Sequence, residues 1–279
     1  MTSTMSDRCR PAPRLITSLL RYLVLGYATY ALTAALLAER LMFVPPAPSY
    51  THDDPRMLAI DGPDGRLMLR WMPHQPSAPV LLHSHGNAED LGLICHSLEL
   101  LHRAGWSVLA YDYPGYGHSQ GQASERSSLR AAAAAYRWLV EDAGVPPKRI
   151  VIHGRSLGSG PSLVLASTQP VAGLILESAF ASAFRVMVDP PLLPFDRFDN
   201  QARIGQVQVP ILLLHGQDDD LIPPRHAQRL QAQAPPDTTL VLLPQAGHND
   251  LSYRAIDGYL AALKAFRARI AEPLPDPER

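Results

Sequence analysis

The 279-residue sequence predicts an α/β protein built on a mostly parallel sheet of eight strands, flanked by helices and preceded by an apolar helix. Three observations carry this expectation. Compact apolar runs alternate with helical stretches along most of the chain; the first two runs are joined by a short turn rich in glycine and proline; and one nearly uncharged apolar stretch lies close to the N-terminus. Composition agrees, since 46% hydrophobic residues supply ample surface for a core and exclude a disordered chain. The 25 basic and 26 acidic side chains leave a formal net charge of -1, which offers no electrostatic footprint for nucleic acid, and no such partner is expected.

Residues 1–14 form an arginine-rich tail, with Arg8, Arg10 and Arg14 against Asp7. Residues 15–38 carry Arg21 as their only charge, and Arg21 lies near enough to one end to snorkel. A membrane-crossing helix needs roughly 20 mostly apolar residues, so this stretch reads as an anchor. Glu39 and Arg40 cancel behind it, and the positive-inside rule then puts the N-terminus in the cytoplasm and the rest of the chain outside it, in the periplasm of a Gram-negative cell. One alternative is a signal peptide cleaved near Thr33-Ala34-Ala35, which would leave a secreted protein. A buried or interfacial helix is the other, disfavoured because apolar residues run around every face. Residues 39–56 read as a proline-rich linker, 57–271 as the main domain and 272–279 as a tail.

In the main domain, 57–60 and 66–71 read as an antiparallel hairpin. Runs at 80–85, 107–111, 149–153, 173–177, 210–215 and 240–243 suit strands buried on both faces. Helices are expected near 89–104, 125–143, 157–168, 224–233 and 250–270, and the alanine run 131–135 reads as a close-packed helix face. Residues 179–208 break the rhythm with prolines and aromatics, as a minimal cap over the strand ends would. In such sheets ligands bind at the carboxyl ends of the strands. The two cysteines, Cys9 and Cys95, are too few for a disulfide scaffold and show no zinc spacing, so no metal is expected.

Chemistry gathers at those strand ends. Gly154-Arg155-Ser156-Leu157-Gly158 stands between an expected strand and helix, the setting in which a tight turn pushes a serine hydroxyl above the sheet; Gly154 and Gly158 admit the turn. A serine needs a base and the base a carboxylate. The run 215–223 puts Asp218, Asp219 and Asp220 on one loop, and 244–250 puts His248 on the next, so the order is Ser, Asp, His. Glu177 also ends a strand and is a further candidate acid. The backbone amides of Leu157, at a helix N-terminus, and Asn87, in His85-Gly86-Asn87-Ala88, are the candidate oxyanion donors. Asp112 reads as a brace in its turn, and His83, His96, His102 and His215 read as packed or surface residues.

With these motifs, HGNA at 85–88, YDYPGYGHS at 111–119, GRSLGSG at 154–160, ESAF at 177–180, HGQDDDLIP at 215–223 and GHND at 247–250, the sequence resembles the α/β-hydrolase superfamily from about Leu41 onward. Within it the chain resembles the membrane-associated Bem46-like serine hydrolases and the α/β-hydrolase domain-containing proteins 13 and 17. The resemblance implies the α/β-hydrolase fold, Ser156 as nucleophile, Asp219 as acid, His248 as base, and an acyl-enzyme route without metal or organic cofactor. It implies carboxylic ester or thioester hydrolysis on lipid-like or acyl substrates, since such relatives include depalmitoylating thioesterases. A serine aminopeptidase-like peptidase is the alternative. A non-catalytic, membrane-tethered binding protein is the alternative of another class, though such chains would have lost a triad residue or elbow glycine and none is missing here.

Overall fold

A computed structural model describes residues 13–51, 53–187 and 192–271, and its chain falls into two units that meet between Leu41 and Met42. The expected tails therefore lie almost wholly outside the described residues, as does the stretch 188–191 of the expected cap.

The described part of the first unit is helix α1, Pro13–Met42, up to its last residue, which belongs to the second. It extends further at both ends than the apolar stretch alone suggests, because Glu39 and Arg40 continue the last turn. Its segment Thr17–Met42 has a mean hydropathy of 1.3 and is long and apolar enough to cross a membrane. At 1.5 Å per residue such a helix covers about 39 Å against a hydrocarbon core of about 30 Å. None of its most apolar stretch is buried, so the reading as a helix packed inside a soluble core finds no support.

Among the described residues the second unit holds eight strands: β1 Met57–Gly62, β2 Gly65–Met72, β3 Val80–Ser84, β4 Ser107–Tyr111, β5 Ile150–Arg155, β6 Gly173–Glu177, β7 Ile211–Gly216 and β8 Thr238–Leu243. They form one sheet in the order β1-β2-β4-β3-β5-β6-β7-β8. β1 pairs with β2 and β2 with β4 antiparallel; every other pairing is parallel. This is the α/β-hydrolase fold expected from the sequence. From β3 the chain turns to one side toward β4, and from β5 to the other toward β6, which opens a crevice above the neighbouring ends of β3 and β5.

The helices are α2 Cys95–Arg103, α3 Glu125–Arg137, α4 Ser159–Thr168, α5 Ala183–Met187, α6 Asn200–Arg203, α7 Arg225–Gln233, α8 Leu251–Arg254 and α9 Ile256–Ala271. Expected and observed bounds differ for physical reasons. The expected helix from 89 starts only at Cys95, because the Asp90 carboxylate draws in the amides of Gly92 and Leu93 and holds 90–93 in a turn. The helix expected to reach 143 ends as α-helix at Arg137 and closes with a wider π-turn over Trp138–Asp142. The helix expected over 250–270 is broken at Ala255, outside the helical region at φ -119° and ψ 37°. α5 and α6 lie in the excursion between β6 and β7, for which no helix is expected.

Residues 42–50, read from sequence as linker, are bound into the second unit. The Tyr50 hydroxyl donates to Asp112 at 2.6 Å, the Ser49 amide to Asp90 at 2.7 Å, and Phe43 meets Phe198 edge to face at 6.3 Å. Asp112 also accepts from the Leu91 amide at 2.9 Å, the bracing part expected of it. Helix α3 begins with a capping box, Ser124 and Ser127 exchanging side-chain and backbone bonds, and buries Ala131, Ala132, Ala134 and Ala135.

Candidate active site

Above the β3–β5 crevice, β5 ends at Arg155 and the chain turns through Ser156 at φ 49° into α4. A side chain with Cβ is strained there, and the strain aims the hydroxyl away from the sheet. The flanking glycines are required by distance. A Cβ on Gly158 would stand 2.7 Å from the His85 carbonyl oxygen and 2.6 Å from the Ser84 carbonyl carbon, and one on Gly154 would stand 2.5 Å from both the Gly158 carbonyl oxygen and Ser162 Oγ. The turn is held from beneath: Ser159 Oγ donates to the Ser156 carbonyl at 2.6 Å, and Asn200 Nδ2 donates to Ser159 Oγ at 3.1 Å.

His248 Nε2 lies 3.0 Å from Ser156 Oγ, and His248 Nδ1 lies 2.8 Å from Asp219 Oδ2. An ionised carboxylate only accepts, so Nδ1 carries the proton and Nε2 is left to accept from the serine hydroxyl. The loops of acid and base are stitched together by the amides of Gln217 and Asp218, which donate to the Leu243 and Ala246 carbonyls at 2.9 Å each. Burial would push the Asp219 carboxyl up, but the His215 ring beside it and hydrogen bonds from His248 and the Ile222 amide outweigh it and hold that group well below the ordinary carboxylate range. The Ile222 and Leu221 amides reach Asp219 Oδ1 at 2.7 and 3.1 Å.

The other candidate acids stand elsewhere. Asp220 is exposed, and Asp218 is engaged with the His248 loop through its backbone amide. Glu177 is buried and faces His153 at 3.4 Å, Arg155 at 3.5 Å and the Tyr259 hydroxyl at 3.1 Å. Leu157 leads into α4, where the helix dipole adds positive potential. The Asn87 side chain is committed: Oδ1 accepts from Tyr116 Oη at 2.7 Å and the Val44 amide at 2.9 Å, while Nδ2 donates to the Met42 carbonyl at 2.6 Å. These contacts fix the residue in its loop, and its backbone amide stays the candidate oxyanion donor.

Sequence reasoning passed over His215 and Arg155. His215 is buried, donates from Nε2 to the Ile222 carbonyl at 2.6 Å and lies 3.3 Å from Asp219 Oδ2, so it shapes the acid's loop. Its position at the end of β7, four residues before Asp219, was the available signal.

Comparison with known proteins gives the family to which the chain belongs. A family model described as the alpha/beta hydrolase fold matches residues 79–203, and one described as serine aminopeptidase, S33, matches residues 199–252. The alpha/beta hydrolase domain-containing protein aho-3 of Caenorhabditis elegans is 32% identical over 260 residues, covering 82% of this chain and 77% of that protein. The human alpha/beta hydrolase domain-containing protein 17C is 35% identical over 217 residues, covering 76% of this chain and 64% of that protein. Among solved structures, an esterase of Pyrococcus furiosus superposes with a TM-score of 0.67 at 17% identity, over 81% of this chain and 98% of that one, which is a likeness of fold. The chain belongs to the α/β-hydrolase family, as a hydrolase similar to the domain-containing protein 17 branch.

Proposed function

We propose that the protein is a serine hydrolase that cleaves carboxylic ester or thioester bonds through an acyl-enzyme on Ser156. The observation that carries this reading is the continuous hydrogen-bonded run from Ser156 Oγ through His248 to Asp219, at 3.0 and 2.8 Å. His248 Nε2 takes the hydroxyl proton as Ser156 Oγ attacks the carbonyl, and Asp219 steadies the imidazolium. The Asn87 and Leu157 amides bind the oxyanion, an interaction worth roughly 3–4 kcal/mol per donor in comparable sites. His248 then protonates the departing alcohol or thiol. Water, deprotonated by the same nitrogen, attacks the acyl-enzyme and releases the acid with Ser156 restored.

An acyl-bearing, lipid-like substrate is favoured by the apolar side chains exposed on the connections that follow the parallel strands: Leu93 after β3, Leu192 after β6, Leu221 after β7 and, on helix α8, Tyr253 after β8. The apolar helix α1 fits a membrane anchor with the N-terminus cytoplasmic and the hydrolase unit outside, and fits a signal sequence as the alternative. A peptidase reading draws on the serine aminopeptidase match over residues 199–252.

Turnover of p-nitrophenyl acyl esters of increasing chain length, acyl thioesters and aminoacyl anilides separates these readings. The esters and thioesters are expected to turn over faster, with a gain from longer chains and none in Ser156→Ala. Preference for anilides would replace the esterase reading with the peptidase one.

A further inference from the structure

The residue immediately before Ser156 ties three loops together. Arg155 keeps only 13% of its side chain exposed and commits each guanidinium nitrogen to a different element. Nε lies 3.5 Å from Glu177 Oε1 at the end of β6. Nη1 pairs with Glu89 in the loop after β3. Nη2 donates to Asn249 Oδ1 at 2.6 Å and reaches the His248 carbonyl oxygen at 3.5 Å.

Glu89 passes this hold on to the candidate oxyanion loop, because its Oε2 accepts from the Gly86 amide at 2.7 Å. From the other side, His85 Nδ1 donates to the Gly86 carbonyl oxygen at 2.7 Å. That carbonyl and the Asn87 N–H belong to one planar peptide, so fixing the oxygen fixes the direction of the hydrogen. The Asn87 amide is thus aimed by contacts to Gly86 on both sides, one of which ends on Arg155. The same guanidinium grips the backbone of His248.

We propose that Arg155 is a positioning residue that sets where the Asn87 amide and the His248 imidazole stand about Ser156. The inference rests on the serine hydrolase reading of that site. No bond to Arg155 forms or breaks in the reaction; its fork holds one donor and a base at a separation that sequence-distant loops would not keep by themselves. Lysine supplies the charge but not the planar fork, so it can satisfy one of these loops and not all. Because the two groups act on the developing oxyanion and on the proton in transfer, misplacing them slows chemistry more than binding.

The test uses the full-length chain in detergent with a p-nitrophenyl acyl ester. Arg155→Ala is expected to lower kcat on the order of 100-fold, with KM within about 2-fold. Arg155→Lys should fall between it and wild type. Adding Glu89→Gln to Arg155→Ala should cost little more, since both cut one connection. Added guanidinium ion should restore part of the lost kcat in Arg155→Ala and none in Ser156→Ala, a response that a merely structural arginine would not give. The inference is overturned if Arg155→Ala keeps kcat within about 3-fold while Ser156→Ala is dead, or if the two losses simply add. Turnover persisting in Ser156→Ala would instead overturn the hydrolase reading. Should Arg155→Ala fail to fold, Arg155→Lys and Glu89→Gln decide: lowered kcat at unchanged melting temperature supports the inference, and wild-type kcat in both removes it.

Discussion

The two faces of the central sheet are built from alternate residues of the same strands, yet they end differently. One face carries Val80 and Leu82, Ile150 and Ile152, Leu174 and Leu176, Ile211 and Leu213, packed against α3, α4 and α7. At the strand ends this face finishes in Ser84 and Gly154, small enough for α4 to close over the serine turn. The opposite face begins with Leu81, Val151 and Ile175 against α2 and α9. Near the ends it turns polar and stays buried: His83 and His153 meet Nδ1 to Nδ1 at 3.1 Å, and His153 leads on to Glu177, Arg155 and Tyr259. Burial, with the nearby His153, His85 and Arg155, pushes the His83 imidazole well below its ordinary value. The contrast teaches a division of labour. The apolar face supplies stability and room for the turn, whereas the polar face is a connected set of ion pairs and hydrogen bonds beneath the loops.

Substitutions on each face sharpen that contrast. The largest effect is expected from Gly158→Val, whose side chain would be driven into the Ser84 and His85 carbonyls; soluble expression and circular dichroism should show no native fold, and a folded, active variant would break the steric account. Next comes Leu163→Ala on α4, expected to cost about 2–5 kcal/mol in denaturant unfolding while the folded fraction keeps wild-type kcat. Glu177→Gln, on the polar face, should cost less, about 1–3 kcal/mol, and should change the pH profile.

The sign of that change follows from the Glu177 environment. Burial alone would raise its carboxyl, but the His153 ring, the Arg155 guanidinium and the Tyr259 hydroxyl hold it below the ordinary range. Its stabilising contribution is therefore complete above the unfolded value of about 4.3 and is lost as pH falls toward the folded one. The gap in stability between wild type and Glu177→Gln should be widest near neutral pH and narrow below about pH 4. The smallest effect is expected from Tyr259→Phe, which removes one hydrogen bond worth about 0.5–1.5 kcal/mol and should move acid unfolding to slightly higher pH.

The apolar face was the legible one. All eight strands could be read: β3 to β7, buried on both sides, appear as compact apolar runs, β1 and β2 as a hairpin about a turn, and the half-buried edge strand β8 as a shorter run, and their bounds moved by only a few residues. Ser156 and His248 stood out because each sits in a recognisable local pattern, whereas the residues alone left Asp218, Asp219, Asp220 and Glu177 open as the acid and the family resemblance singled out Asp219; Ser156, His248 and Asp219 meet within hydrogen-bonding distance. Arg155, Glu89 and Asn249 were not legible, since their partners lie 66 and 94 residues apart in sequence and the parallel pairing from β3 through β5, β6, β7 and β8 brings their loops together. The turn at Asp90 is different, since its bonds to the Gly92 and Leu93 amides are local and an aspartate ahead of a glycine is a turn signal that sequence reasoning passed over.

The most direct measurement is covalent labelling by a fluorophosphonate, followed by peptide mapping of the adduct. A single adduct on Ser156, absent from Ser156→Ala and weakened in His248→Ala, is the expected result. Labelling that persists in Ser156→Ala, or an adduct mapped to another serine, would contradict the assignment of Ser156 as the nucleophile.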